Sequence, residues 1–299
     1  MLWTLCRNLL VFVLVLIGFI LILLLPREME VSLSGPLQFE ADHPFTLEIY
    51  LDNIAGIISH FQTEMGFGTT LAGTPIVNEV HRYLVRSLKI IIPTFFLVML
   101  LGPMIGVVQF YYREHKRGKV MSFFTWVIGS IPDFFLFIAI QYLLIKMIRA
   151  GLPHFSLFGN DEWYSFIIPL ISLMIFPLLH MVKVTSVAME NESIQEHVRT
   201  DFSKGLTLFM VLRHMLKNCG LSIVHQSQFV MLYILSSLPI IELLSNYNGA
   251  GYQLLESVLN NEPIRALALV IPFLLLMFCV MSGLQAARFL LLPREVKRQ

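Results

Sequence analysis

Glu196-His-Val-Arg-Thr-Asp-Phe-Ser-Lys-Gly205, followed by Val211-Leu-Arg-His-Met-Leu-Lys-Asn218, is the polar centre of an otherwise oily chain. It lies in the segment 189–218, with an apolar run long enough to cross a bilayer on each side. A charged segment with helical spacing, held between two membrane spans, meets something in the aqueous compartment. Leu206, Phe209, Met210 and Leu212 fall within about two helical turns of one another, with Arg199, Lys204 and Arg213 around them. Two readings stand on composition alone. One is a short amphipathic helix offered to a protein partner, and the other is a solvated connector.

The rest of the chain sets the context. At 299 residues, 56% apolar and 14% charged, it has the composition of an integral membrane protein. A net charge of +1 without a basic-aromatic patch argues against a nucleic-acid partner. Cys6, Cys219 and Cys279 are odd in number and scattered, which argues against a disulfide framework or a metal site. Stretches free of Asp, Glu, Lys and Arg predict spans at 8–26, 90–112, 163–182, 218–241 and 266–287. A further span at 120–145 is interrupted only by Asp133. Six spans is the reading. The first run is long for a signal peptide and lacks a small-x-small cleavage site before Pro26, so a retained helix is expected.

Lys and Arg set the orientation. With the N-terminus inside, fourteen of the 21 fall in cytoplasmic segments, and 189–218 is cytoplasmic. The extracytoplasmic segment 27–89 then separates the first two spans. Within it, Leu47, Leu51, Ile54, Ile57 and Ile58 recur at helical spacing and predict a helix over 46–62. Gly68-Thr-Thr-Leu-Ala-Gly-Thr74 imitates a phosphate loop but lacks the lysine, and no other Walker-type sequence occurs, so ATP hydrolysis is not expected of this chain. Gly102-Pro-Met-Ile-Gly106 places small residues four apart, as close helix packing requires.

Asp133, in Ser130-Ile-Pro-Asp-Phe134, is the one acid well inside a predicted span. It lines a translocation path, binds a cationic group of the cargo, pairs with another subunit, or makes a structural hydrogen bond to a neighbouring helix. His180 fits an interhelical hydrogen bond better than a ligand. Glu242 ends the fifth span, and the glycines of Asn248-Gly-Ala-Gly251 are expected to turn the chain back toward the membrane.

The 196–218 pattern resembles the cytoplasmic loop of binding-protein-dependent ABC importer permeases, in the oligopeptide, dipeptide and nickel branch. Val198, Arg199, Thr200, Lys204, Gly205, His214 and Asn218 stand where that pattern puts them. His197 replaces the usual Tyr, and Asp201-Phe202-Ser203 replaces Ala-Arg-Ala. Ser130-Ile-Pro-Asp-Phe134, Ile168-Pro-Leu-Ile-Ser-Leu173 and Glu242 with Gly249 and Gly251 extend the resemblance. Gly151-Leu-Pro153 and Leu292-Pro-Arg294 are similar to the family's segments at those places, while the polar residues relatives carry in the last helix are not evident.

The resemblance implies an all-α membrane protein with six transmembrane helices of the type I importer permease fold, and an extracytoplasmic segment between the first two. Its divisions are 1–26, the segment 27–89, a five-helix core 90–292 with coupling loop 189–218, and a cytoplasmic tail 293–299. It implies a permease that pairs with a second homologous permease, two ABC ATPases carrying ATP and Mg, and an extracytoplasmic substrate-binding protein, in a bacterial or archaeal cytoplasmic membrane. No cofactor is expected in this chain. Peptide is the implied cargo, with a nickel-type substrate as alternative. Arg199, Lys204, Gly205, Leu206, Phe209, Met210, Arg213 and His214 are the expected ATPase-coupling residues, and Ser130, Asp133 and Glu242 the translocation-path candidates. Two rival readings remain: a secondary transporter or channel, and a diverged permease acting as sensor or assembly subunit.

Overall fold

The computed structural model describes residues 2–25, 30–35, 38–42, 46–70, 73–151, 158–160 and 162–291. In chain order the elements are α1 (Leu2–Leu23), β1 (Glu30–Gly35), β2 (Gln38–Asp42), α2 (Leu47–Glu64), α3 (Ile76–Tyr111), α4 (Lys116–Gly129) and α5 (Asp133–Arg149). They continue with α6 (Ile167–Ser193), α7 (Glu196–Ser203), α8 (Leu208–His225), α9 (Ser227–Leu244), α10 (Ala250–Leu259) and α11 (Pro263–Leu291). Among the described residues, α1, α3, α6, α9 and α11 are long and apolar enough to cross a membrane. The pair α4 and α5 makes a sixth span if counted as one.

That pair is where the structure departs from the single span expected. The run 120–145 is two helices bent by 104° at the Ser130-Ile-Pro132 break. Pro132 has no N–H to continue α4, and its ring disfavours the helical region for Ile131. Asp133 then opens α5, its Oδ1 accepting the Phe134 N–H at 2.8 Å. The fifth run differs in a related way. Residues 218–225 belong to α8, and the membrane helix begins at Ser227, after the single break at Gln226. His225, Gln226, Ser227 and Gln228 carry no formal charge, so a count of ionised residues passes over them.

α3 shows why the membrane is the solvent. Its 36 residues span roughly 54 Å at 1.5 Å per residue, so it must project beyond a hydrocarbon core of about 30 Å. The predicted span at 90–112 is the far part of this helix, which already begins at Ile76. Ile92, Phe96, Leu100, Met104 and Val108 stand exposed in a stripe four residues apart, while Ile91, Val98 and Gly106 face other helices. Such a stripe is intolerable in water and ordinary against lipid or a partner helix.

The chain forms two compact units, Met1–Val85 with Gly249–Phe278 and Arg86–Asn248 with Cys279–Gln299. In the first, Thr46 caps α2 by accepting the Ile49 N–H at 3.3 Å, and this helix matches the one expected over 46–62. Tyr50 and Asn53 donate to the carbonyls of Leu21 and Leu24 at the end of α1. The antiparallel hairpin β1–β2, absent from the sequence expectation, pairs Leu33 with Phe39. Its trace in the sequence is the alternation Val31-Ser-Leu-Ser34 before Gly35-Pro36. Arg265 ties this unit together, reaching Glu262 at 2.9 Å, Glu79 at 3.5 Å and Gln253.

In the second unit, α3 and α6 touch closely. A Cβ on Gly102 would collide with Met181, and one on Gly106 would lie 2.6 Å from the Thr185 Cβ, so these small residues admit α6. Val98, Phe137, Leu173, Met181, Ile234 and Leu238 fill the interior.

The stretch after α9 is not a plain loop, because it contains α10. The sharp turns on either side of α10 use Asn246 (φ 51°) and Asn261 (φ 55°) rather than the glycines, since asparagine tolerates the left-handed region. Gly249 is extended at the start of α10, and Gly251 lies inside it. Leu152-Pro153 and the tail from Leu292 lie outside the described residues.

Candidate functional site

The segment 189–218 folds into an elbow. α6 runs on to Ser193, well past the predicted span end at 182, and α7 and α8 follow, joined through Lys204, Gly205, Leu206 and Thr207. Gly205 has φ 76°, the left-handed conformation a helix end favours for glycine, so the bend expected there is present. A Cβ at this position meets nothing within 4 Å, so the demand for glycine comes from the backbone alone.

Polar side chains clamp the elbow. His214 Nδ1 lies 3.0 Å from Asp201 Oδ2, joining α8 to α7. Asn218 Nδ2 donates to Glu192 Oε1 at 2.8 Å and lies 3.1 Å from His197 Nε2, which is itself 3.0 Å from Glu192 Oε1. That second cluster ties α8 and α7 to the end of α6. Val198, Val211 and Met215 are buried within the elbow. Burial, with the Glu192 charge adding to it, pushes the Cys219 thiol up to about 11, so it stays protonated near neutral pH.

The outward surface is apolar at its centre. Phe209 is 74% exposed, and Phe202, Leu208 and Met210 stand exposed beside it, with Leu206 half-buried. Arg199, Lys204 and Arg213 are exposed and have no ion-pair partner among the described residues. Of the expected coupling residues, Phe209 and Met210 present their side chains, Leu206 does so in part, Gly205 sets the bend, and His214, though more than half exposed, meets Asp201 as a clamp. Phe202, Asp201 and His197 belong to the same elbow although they stand where the sequence departs from the family pattern. Phe202 and Leu206 lie four apart in sequence, but the bend at Gly205 separates them, so helical spacing does not mark Phe202.

The translocation-path candidates do not form one site. Ser130 ends α4, its hydroxyl donating back to the Trp126 carbonyl at 2.8 Å, and it lines a cavity of about 420 Å³. Gln109 of α3, Thr125 of α4, and His180 and Lys183 of α6 line the same cavity. His180 Nε2 is 3.2 Å from Gln226 Oε1, the interhelical contact expected of it, and its ring lies against Phe229.

Asp133 is half-buried at the start of α5, near Tyr233 of α9. Glu242 is 0% exposed and accepts from the Ser87 hydroxyl at 2.5 Å. Around it, Tyr247 donates to the Arg86 carbonyl at 3.2 Å, and Arg86 donates to the Asn248 carbonyl at 3.1 Å. Glu242 therefore sits in a closed polar cluster and lines none of the cavities beside Ser130. Among the described residues, no group of three or more His, Cys, Asp or Glu is placed to hold a metal ion.

Comparison with known proteins bears on the family of the chain. The sequence profile of the family described as "Binding-protein-dependent transport system inner membrane component" matches residues 98–288, which include the α4–α5 break, the elbow and α9. Glutathione transport system permease proteins GsiC are among the similar curated proteins. Those of Salmonella choleraesuis (strain SC-B67) and Salmonella typhi are each 24% identical over 194 residues, 64% of this chain and 62% of theirs. That of Escherichia coli (strain K12) is 24% identical over 195 residues, with the same coverage. The matched stretch thus spans about three-fifths of these relatives' length.

Proposed function

We propose a role that starts from membership: this chain belongs to the family of binding-protein-dependent transport system inner membrane components, and it serves as a permease subunit of an ATP-driven importer. The family is one of multi-pass transport permeases with the type I fold, not of enzymes. ATP and Mg accordingly belong to two partner ATPases. A second homologous permease completes the pore, and an extracytoplasmic binding protein delivers the cargo. The N-terminus and the elbow face the cytoplasm, as the distribution of Lys and Arg favours. A peptide is the cargo we favour, because glutathione, named for the relatives, is itself a small peptide.

The observation that carries this reading is the elbow, where an exposed apolar tip is mounted on helices clamped by His214–Asp201 and Asn218–Glu192. A large apolar patch on a rigid polar mount, framed by unpaired Arg199, Lys204 and Arg213, suits a groove on another protein. Motion of a docked ATPase passes through α7 and α8 into α6 and α9, because the elbow is joined to α6 by Glu192 and to α9 through the single residue Gln226. The two-state element is the helix bundle, biased by ATP on one side and loaded binding protein on the other.

The test is purification of the tagged protein in mild detergent, with mass spectrometry of its stoichiometric partners. Recovery of a second permease and two ATPases is expected. Recovery of this chain alone, or as a homo-oligomer with no ATPase, would overturn the assignment.

A further inference from the structure

Beside the Ser130 cavity, where α3 ends and α4 begins, lies a second cavity of about 620 Å³. The two share Gln109, Ser122, Trp126 and Lys183, so they are parts of one cleft between α3, α4 and α6. Three cations line the second cavity, Arg113, Lys119 and Lys183, against one acid, Glu190. Glu190 is engaged, because Arg113 lies 3.5 Å from it, and Arg113 also meets Glu114 at 3.3 Å. Lys119 and Lys183 have no acidic partner among the described residues. The cleft therefore holds two uncompensated ammonium groups.

A second observation points to a ligand. Gln109 is only 8% exposed, and its Oε1 is buried without a hydrogen-bond partner. A buried acceptor of this kind is costly unless a donor meets it. The occupant must then offer an anion to the lysines and a hydroxyl or similar donor to Gln109. The rim adds a third requirement. Phe123 and Trp126 of α4 and Val187 of α6 line the second cavity, and all three are exposed, Trp126 at 68%. Large apolar side chains beside a basic cleft at the end of a membrane helix suit a molecule with a charged head and hydrocarbon chains.

We propose that this cleft binds the headgroup of an anionic phospholipid of the phosphatidylglycerol kind. Lys119 and Lys183 take the phosphate, Gln109 accepts from a headgroup hydroxyl, and the acyl chains lie along Phe123 and Trp126. Charge-assisted hydrogen bonds from two lysines to one phosphate supply most of the attraction. Inorganic phosphate meets the lysines equally well but leaves the apolar rim uncovered, so the lipid is the better fit. The position of the cleft on α6 does not depend on what the chain transports, and neither does the test.

The experiment is lipid analysis of the detergent-purified full-length protein, with whatever subunits accompany it, after an extended delipidating wash. Wild type is expected to retain phosphatidylglycerol over phosphatidylethanolamine. The double variant Lys119→Gln with Lys183→Gln is expected to retain roughly tenfold less while eluting unchanged from gel filtration. Lys119→Arg with Lys183→Arg keeps both charges and is expected to retain the lipid, which separates loss of the site from loss of the fold. Equal retention by wild type and the Gln variant would overturn the proposal, and so would equal retention of the two lipids. Displacement of the lipid by millimolar inorganic phosphate would also overturn it, by making this a free-anion site.

Discussion

The elbow of α7 and α8 and the cluster around Glu242 are built from the same materials and arranged in opposite senses. In the elbow, polar side chains form the internal clamps, with Asp201 buried against His214, while Phe202, Phe209 and Met210 face out. Around Glu242 the carboxylate itself is enclosed, 0% exposed and bonded to Ser87, inside a helix end whose remaining surface is apolar. One region keeps apolar area exposed at a cost that a partner can offset by covering it. The other keeps a polar acid buried, and its surroundings must satisfy it within the chain. Exposed apolar side chains on a clamped mount are what the docking role proposed for the elbow rests on. Complete burial of an acid within a hydrogen-bonded cluster marks structure.

Substitutions at three positions test that contrast. The largest effect is expected from Phe209→Asp, which places a carboxylate at the centre of the exposed patch. Reconstituted ATP-driven uptake should fall by tenfold or more, the scale of losing a hot-spot contact of about 2 kcal/mol or above. Melting of the purified protein should change little, because the side chain is 74% exposed. Unaltered uptake would show that the patch is not an interface.

Glu242→Ala should act the other way, lowering stability by about 2 kcal/mol through loss of the acceptor that Ser87 meets at 2.5 Å and an emptied polar site. Glu242→Gln, which keeps an acceptor for Ser87, should lose much less. Thermal melting in detergent reads both, and a Glu242→Ala protein that melts with wild type would remove the structural role argued for the cluster. The smallest effect is expected at the clamp. His214→Ala should cost about 1 kcal/mol, since the histidine is more than half exposed and the contact is partly screened. Hydrogen exchange in Glu196–Ser203 should quicken, and unchanged exchange there would mean that Asp201 is held by other contacts.

The candidate site was legible to different depths. Helical spacing in 196–218 led to the apolar residues that the elbow exposes, and the family pattern led to the bend at Gly205 and to His214. That Asp201 would be the acid His214 meets was not readable, because thirteen residues and a reversal of the chain separate them. Ser130, Asp133 and Glu242 looked alike as polar residues in or beside apolar runs. Folding sends one to a cavity wall, one to a helix start and one to a closed cluster. Sequence position orders residues along an axis, whereas exposure depends on which helices pack across it.

The apolar runs determined by themselves that this chain crosses a membrane several times, because roughly 20 consecutive apolar residues satisfy their own backbone as a helix in lipid whatever surrounds them. The small residues at 102 and 106 likewise announced a close helix neighbour. Only the tertiary structure decided that the neighbour is α6, that the third run breaks by 104° at Pro132, and that α3 starts fourteen residues before its charge-free stretch. It alone decided that a buried amide and two unpaired lysines share one cleft. Local hydrophobicity is a property of neighbours in the chain, and each of these outcomes is a property of neighbours in space.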